Sequence, residues 1–195
     1  MLPNAVPSMI SPAPEPRRLK VDFHTHASED PCDELEHSAM DLVHRAHQLG
    51  FDALAITLHD HVLQKPEVDD LAASLGLLLI PAVEIRLEGA DVVLLNVTAA
   101  ETRCLRRLDD LAALRRERGD SLLTLAPHPF HRLGGSIGER RLIEHIALFD
   151  AIEWSHFHTP WLNPNRHAAR IASAFDKPLL ATSDTHLLDR FGSHY

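Results

Sequence analysis

Lys20-Val21-Asp22-Phe23-His24-Thr25-His26 is a short, half-apolar, β-compatible run that passes directly into a His-x-His pair. Side chains two apart on an extended strand point the same way, so both imidazoles can reach one ion. The pattern returns along the chain. Residues 53–57 lead to His59, trailed by Asp60 and His61, and residues 77–83 lead to Glu84. Residues 122–126 lead to His128, which is held between Pro127 and Pro129. Residues 178–182 lead to Asp184 and His186, again two apart. Each cluster follows an apolar run that reads as a strand. In a parallel sheet or barrel such ends share one rim, where ligands bind.

Between these strands lie helical patterns. Residues 38–49 start at Ser38 as N-cap with Asp41 three residues on, carry a stripe of Ala39, Leu42, Val43, Ala46 and Leu49, and stop at Gly50. Residues 67–75, 103–118, 142–149 and a stretch opened by Asn163 and Pro164 read the same way. Residues 91–97 and 150–154 are two further strands, the first apolar enough to be buried on both faces. Strands alternating with helices predict an α/β fold with a parallel sheet, and about seven strands with their site residues on one rim predict a barrel.

Composition narrows the function. At 195 residues and 45% apolar content, one folded domain is expected. Residues 1–18 carry five prolines and no continuous apolar segment, which reads as a flexible leader rather than a signal peptide, with residues 19–195 as a single catalytic domain. No apolar run is long enough for a membrane span. Cys32 and Cys104 fit no metal or redox spacing, so a reducing cytoplasm is expected. The net charge of −9 argues against bulk nucleic-acid binding.

Fifteen histidines are dispersed along the chain, so each is judged by its place. His44, His47, His145 and His167 read as exposed helix positions. His156 and His158 form another His-x-His after the sixth strand and are expected near the site. The arginines of residues 103–118 read as a solvated helix face. Asp30 and Asp33 share an acidic loop, and Asp30 is the favoured ligand of the two. A charge at Glu84, against a buried strand, needs a partner, and a metal ion is one. Imidazole and carboxylate suit Mn, Zn or Fe.

Five segments resemble, in order, the motifs of the PHP (polymerase and histidinol phosphatase) phosphoesterases. They are Val21-Asp22-Phe23-His24-Thr25-His26, Ala55-Ile56-Thr57-Leu58-His59-Asp60, Ile80-Pro81-Ala82-Val83-Glu84-Ile85, Ala126-Pro127-His128-Pro129 and Ser183-Asp184-Thr185-His186. The resemblance spans about residues 19 to 192. It implies a distorted (β/α)7 TIM-like barrel with two or three divalent ions (Mn, Zn or Fe). By the same resemblance His24, His26, Glu84 and Asp184 hold one ion, Asp30, His59 and His186 another, and Glu84 with His128 a third. Two departures stand out: Leu58 precedes His59 where the family has an aspartate, and Asp91 and Asn96 lie where it offers another histidine.

The activity so implied is hydrolysis of the phosphate ester of a small metabolite or nucleotide. Glu84 would bridge ions and Asp184 would orient the attacking water, with Arg132, His131 and His158 contacting substrate. Two alternatives are amidohydrolase-type C–N or C–O cleavage and a degenerate metal-binding module without turnover. No strand ends in lysine, so a carbamylated lysine has no candidate.

Overall fold

The computed structural model describes residues 17–131, 134–159, 161 and 163–193. Arg132 and nearly all of the expected leader lie outside the described residues. Seven strands form one sheet in sequential order: β1 (Val21–Asp22), β2 (Ala53–Ile56), β3 (Leu78–Leu87), β4 (Ala90–Leu95), β5 (Leu123–Ala126), β6 (Ala151–Trp154) and β7 (Leu179–Ala181). Helices α1 (Ala39–Gln48), α2 (Pro66–Ser74), α3 (Ala99–Thr102), α4 (Leu108–Arg118), α5 (Glu139–Glu144) and α6 (Asn165–Ala174) connect the strands or follow them. The sheet curls until its two edges meet. Thr25 and Thr185 form a parallel bridge, His26 N–H donates to the Thr185 carbonyl at 3.2 Å, and Asp184 N–H donates to the His24 carbonyl at 2.8 Å. The result is a nearly closed, distorted TIM-like barrel.

The expectation of a wholly parallel sheet fails at β4, which runs antiparallel to both β3 and β5. The link from β3 to β4 is only Glu88-Gly89, both with positive φ (51° and 83°). Two such residues make a tight hairpin, and a hairpin joins only antiparallel strands. The 103–118 helix is also corrected. Thr98 caps α3 with Glu101 in a capping box, and Asp110 Oδ2 accepts from the N–H groups of both Arg106 and Arg107 at 2.9 Å, opening α4 anew.

Strand alternation sorts the core. Ala55, Ala82, Val93, Leu95, Leu125 and Ala151 fill the barrel interior, where small residues leave room between crowded strands. Leu54 and Ile56 face outward onto Leu42, Val43 and Ala46 of α1 and Val68 and Ala72 of α2. Val83, Ile85 and Ile152 do so toward Leu108 and Leu111 of α4 and Ile171 of α6. Continuing the inward parity past the apolar layer places Glu84 and Arg86 on β3, Asp91 on β4 and Glu153 on β6 at the inner face.

Candidate metal centre

The rim is assembled from chain that has just left a strand. Glu84 is the exception: it lies inside β3 rather than at its end, because β3 runs on to Leu87 for the hairpin. The neighbouring β2 does end there. His59 forms a parallel bridge with Glu84, Asp60 N–H donates to the Glu84 carbonyl at 2.8 Å, and Glu84 N–H to the Leu58 carbonyl at 3.2 Å. His128 (φ 27°) and Asp184 (φ 45°) both sit in the left-handed region, unusual for residues with side chains. Such strain concentrates at functional sites, where the surrounding structure holds it. Here it turns each side chain in over the barrel.

Four donor atoms converge at the centre. His24 Nε2 is 3.2 Å from His26 Nε2, 3.2 Å from Glu84 Oε2 and 3.4 Å from Asp184 Oδ1. His26 Nε2 is 3.3 Å from the same Glu84 oxygen and 3.2 Å from the same Asp184 oxygen. These are five of the edges of a four-cornered figure. A tetrahedral ion with ligands at 2.0–2.1 Å requires edges of about 3.3–3.4 Å. The five distances match those edges, and His24, His26 and Glu84 form a donor set that could hold a metal ion. All four residues are buried.

A second set flanks the first. Asp33 Oδ2 stands 3.0 Å from His186 Nε2 and 3.5 Å from His59 Nδ1, and His59 Nε2 is 3.2 Å from Glu84 Oε2. Asp30, the residue favoured from sequence, has a different surrounding. Its Oδ2 accepts from His59 N–H (2.8 Å) and faces His59 Nδ1 (2.9 Å) and His26 Nδ1 (3.2 Å), while Oδ1 accepts from Cys32 N–H (2.8 Å). Those contacts hold two imidazoles, and donor atoms of His26, Asp30, Asp33 and His59 all lie within 4.8 Å of one another, with Asp33 also facing His186. In a third set, Glu84 Oε1 lies 3.1 Å from His128 Nε2, with Asp91 close to both.

Two buried residues unread in the sequence tie this rim together. Glu153 Oε2 accepts from His128 N–H at 2.8 Å and lies 3.2 Å from His24 Nδ1. A carboxylate behind a ligating imidazole fixes its tautomer and aims the other nitrogen at the ion. His37 Nε2 contacts the His26 carbonyl at 2.8 Å and so pins the strand end from behind. Leu58, at the family's aspartate position, is buried against the α1–α2 side of the barrel and contributes no polar group.

The rim is electrostatically unusual. Among the described residues, every ion-pair contact of Asp30, Glu84, Glu153 and Asp184 is to a histidine. Burial works against charge on His24, but Asp184, Glu84 and Glu153 outweigh it and raise its pKa well above the ordinary value. Burial likewise opposes charge on His26, and hydrogen bonds to Asp184, Asp30 and Glu84 still lift it to about 10. Burial alone would raise Glu84 and Asp184. Neighbouring His24 and His26 hold both below the carboxylate range, and His128 adds to the hold on Glu84. The site calls for positive charge, and divalent cations supply it.

Other expected contacts lie further out. His131 is stacked on Phe157 (centroids 4.3 Å apart, 10° between planes), and His156 packs on Phe157 at 3.9 Å. His158 is exposed and directed to the Ser155 carbonyl at 3.3 Å, outside the donor sets. A cavity of about 480 Å³ opens beside Asp184 and His186, walled by His156, Phe157, Leu187 and Arg190.

No family model matches the chain, and no curated protein does. Solved structures share its fold. A two-domain protein from Bacteroides vulgatus, described as containing a predicted PHP-like metal-dependent phosphoesterase, aligns at TM-score 0.64 and 20% identity over 88% of this chain. This chain spans about half of that protein, 53%. An amidohydrolase from Chromobacterium violaceum, solved with sulfate and no metal, aligns at TM-score 0.67 and 15% identity over 90% of this chain and 91% of that one. The lesion-specific endonuclease Q of Pyrococcus furiosus aligns at TM-score 0.61 and 15% identity, covering 89% of this chain and 50% of that one. At these identities the likeness establishes the PHP-type barrel.

Proposed function

We propose that the chain is a metal-dependent phosphoesterase acting on a small phosphorylated metabolite or nucleotide. The observation that carries this reading is the convergence of Glu84 and Asp184 on the Nε2 atoms of His24 and His26, each carboxylate 3.2 to 3.4 Å from both and the two nitrogens 3.2 Å apart. These four would hold one divalent ion, and His59, His186 and Asp33, with Asp30 aiming His59, would hold a second. Ions so placed lower the pKa of a bound water and screen the anionic oxygens that make phosphate esters resist attack.

The chain's own residues do the rest. Glu84 presents Oε2 to His24, His26 and His59 and Oε1 to His128, so one carboxylate spans the centre. Asp184 stands between His24 and His26 and also walls the 480 Å³ cavity, where it can orient an incoming water and hold its proton. That cavity falls within the range that encloses a small ligand. Arg190 in its wall, with His131 and Arg132, would meet the outer phosphate oxygens. Phe157 and Leu187 give the apolar contact for the rest of the substrate. A net charge of −9 suits a compact ester better than a long nucleic acid.

A second reading is C–N or C–O hydrolysis of the amidohydrolase kind, favoured by the likeness to the Chromobacterium violaceum structure. Metal-free, Mn-loaded and Zn-loaded protein should be assayed on a phosphomonoester, a phosphodiester, an amide and a lactone, with His24→Ala alongside. Metal-dependent phosphate release that vanishes in the variant supports the proposal. Turnover of only the amide or lactone replaces it with the second reading.

A further inference from the structure

The third donor set differs from the other two. Asp91 lies across the β3–β4 hairpin from Arg86, directly paired in register. Arg86 Nε donates to Asp91 Oδ1 at 2.6 Å and Nη2 to Oδ2 at 3.0 Å, a two-pronged contact that occupies both oxygens. The pair is wedged from the other side. Asp91 N–H donates to the Gly135 carbonyl at 2.6 Å. A Cβ on Gly135 would stand 1.6 Å from Asp91 Oδ2 and 2.9 Å from Arg86 Nη2, so only glycine fits. Arg86 follows Glu84 by two residues on the same strand face and lines a cavity of about 270 Å³ together with Asp33, His59, Glu84 and Asp91. Burial leaves Asp91 about 5% exposed, so its charge needs a partner at all times.

We propose that the Arg86 guanidinium takes the place of a third cation: it withholds Asp91 from coordination, the centre holds two ions, and Arg86 supplies the remaining positive charge over the cleft. A guanidinium carries five N–H donors, and the Asp91 contact uses two. Among the described residues the others meet no acceptor and can face an anionic oxygen entering the 270 Å³ cavity. The inference rests on the metal centre proposed above, not on which ester is cleaved.

The test counts ions rather than turnover. Native mass spectrometry of protein saturated with Mn, and separately with Zn, should find two ions per wild-type chain. Arg86→Met frees Asp91 beside Glu84 and His128 and should bind three, and Arg86→Met with Asp91→Asn should return to two. Asp91→Asn alone should keep two, an arm that stands even if Arg86→Met folds poorly. Three ions in the wild type, two in Arg86→Met, or a drop to one in Asp91→Asn would each overturn the inference and leave the metal centre standing. No bound ion in the wild type would overturn both.

Discussion

The two ends of the barrel use carboxylates in opposite ways. At the foot, where the parallel strands begin, Asp150 receives Arg115 Nη1 at 2.6 Å and Nη2 at 2.8 Å, plus Thr124 N–H at 2.7 Å. Asp52 likewise accepts from Lys20 N–H at 2.8 Å and pairs with Arg17. At the rim, Glu84 and Asp184 make ion-pair contacts only with histidines among the described residues. A guanidinium is always charged and locks its acid into a structural task. An imidazole gives up its proton to a metal and turns with its acid into a ligand pair. Partner chemistry, not acid content, separates the functional end from the structural one. Arg86–Asp91 is a foot-style pair set at the rim.

Breaking the rim should destroy activity. His24→Ala or Asp184→Asn should lower turnover by on the order of 10³-fold or more, since each removes a corner of the central donor set. The melting temperature of the metal-free protein should fall as well, because each variant leaves a buried charge without its partner. A variant that kept both its metal content and its turnover would contradict the contrast.

Glu153 tests how the rim is aimed. Glu153→Ala removes the one oxygen shared by His24 and the His128 backbone and should weaken metal binding by roughly 10–100-fold, read by chelator competition. Glu153→Gln can keep an oxygen there and should recover most of that loss. Equal losses in the two variants would assign the effect to charge instead of orientation. A smaller effect belongs to Asp33→Ala, which should cost the second ion about 10-fold in affinity and leave the first unchanged. If Asp30→Asn alone removes the second ion and Asp33→Ala does nothing, Asp30 is the ligand of the two.

The barrel was legible because apolar runs repeat with histidines and acids behind them, and backbone closure at Thr25 and Thr185 follows from that repeat. The rim histidines His24, His26, His59, His128 and His186 were readable one by one for the same reason. Glu153 was passed over although a signal existed. It lies two residues after the inward Ala151 in an otherwise apolar strand, so alternation alone places a carboxylate inside the barrel. The Glu88-Gly89 turn was equally visible, and reading it would have reversed β4. The choice between Asp30 and Asp33 had no such handle. Loop residues carry no period, and which acid aims and which coordinates depends on contacts to His59 and His186 from distant segments.

The foot supplies the smallest expected effect and the sharpest control. Burial pushes the Asp150 carboxyl up, but the Arg115 guanidinium and Thr124 N–H outweigh it and hold it below its ordinary 3.8. A carboxylate with a depressed folded-state pKa contributes in full above its unfolded value and loses that contribution as pH falls through the folded one. The pair is partly open to solvent, with Asp150 33% and Arg115 19% exposed, so screening keeps its worth near 1 kcal/mol. Asp150→Ala should therefore lower the melting temperature by about 2–4 °C at neutral pH. The gap from wild type should close as the pH drops below about 4, while metal content and turnover at neutral pH stay unchanged. A variant that lost metal instead would show that foot and rim are coupled through β5 and β6, and the division of labour drawn between them would fail.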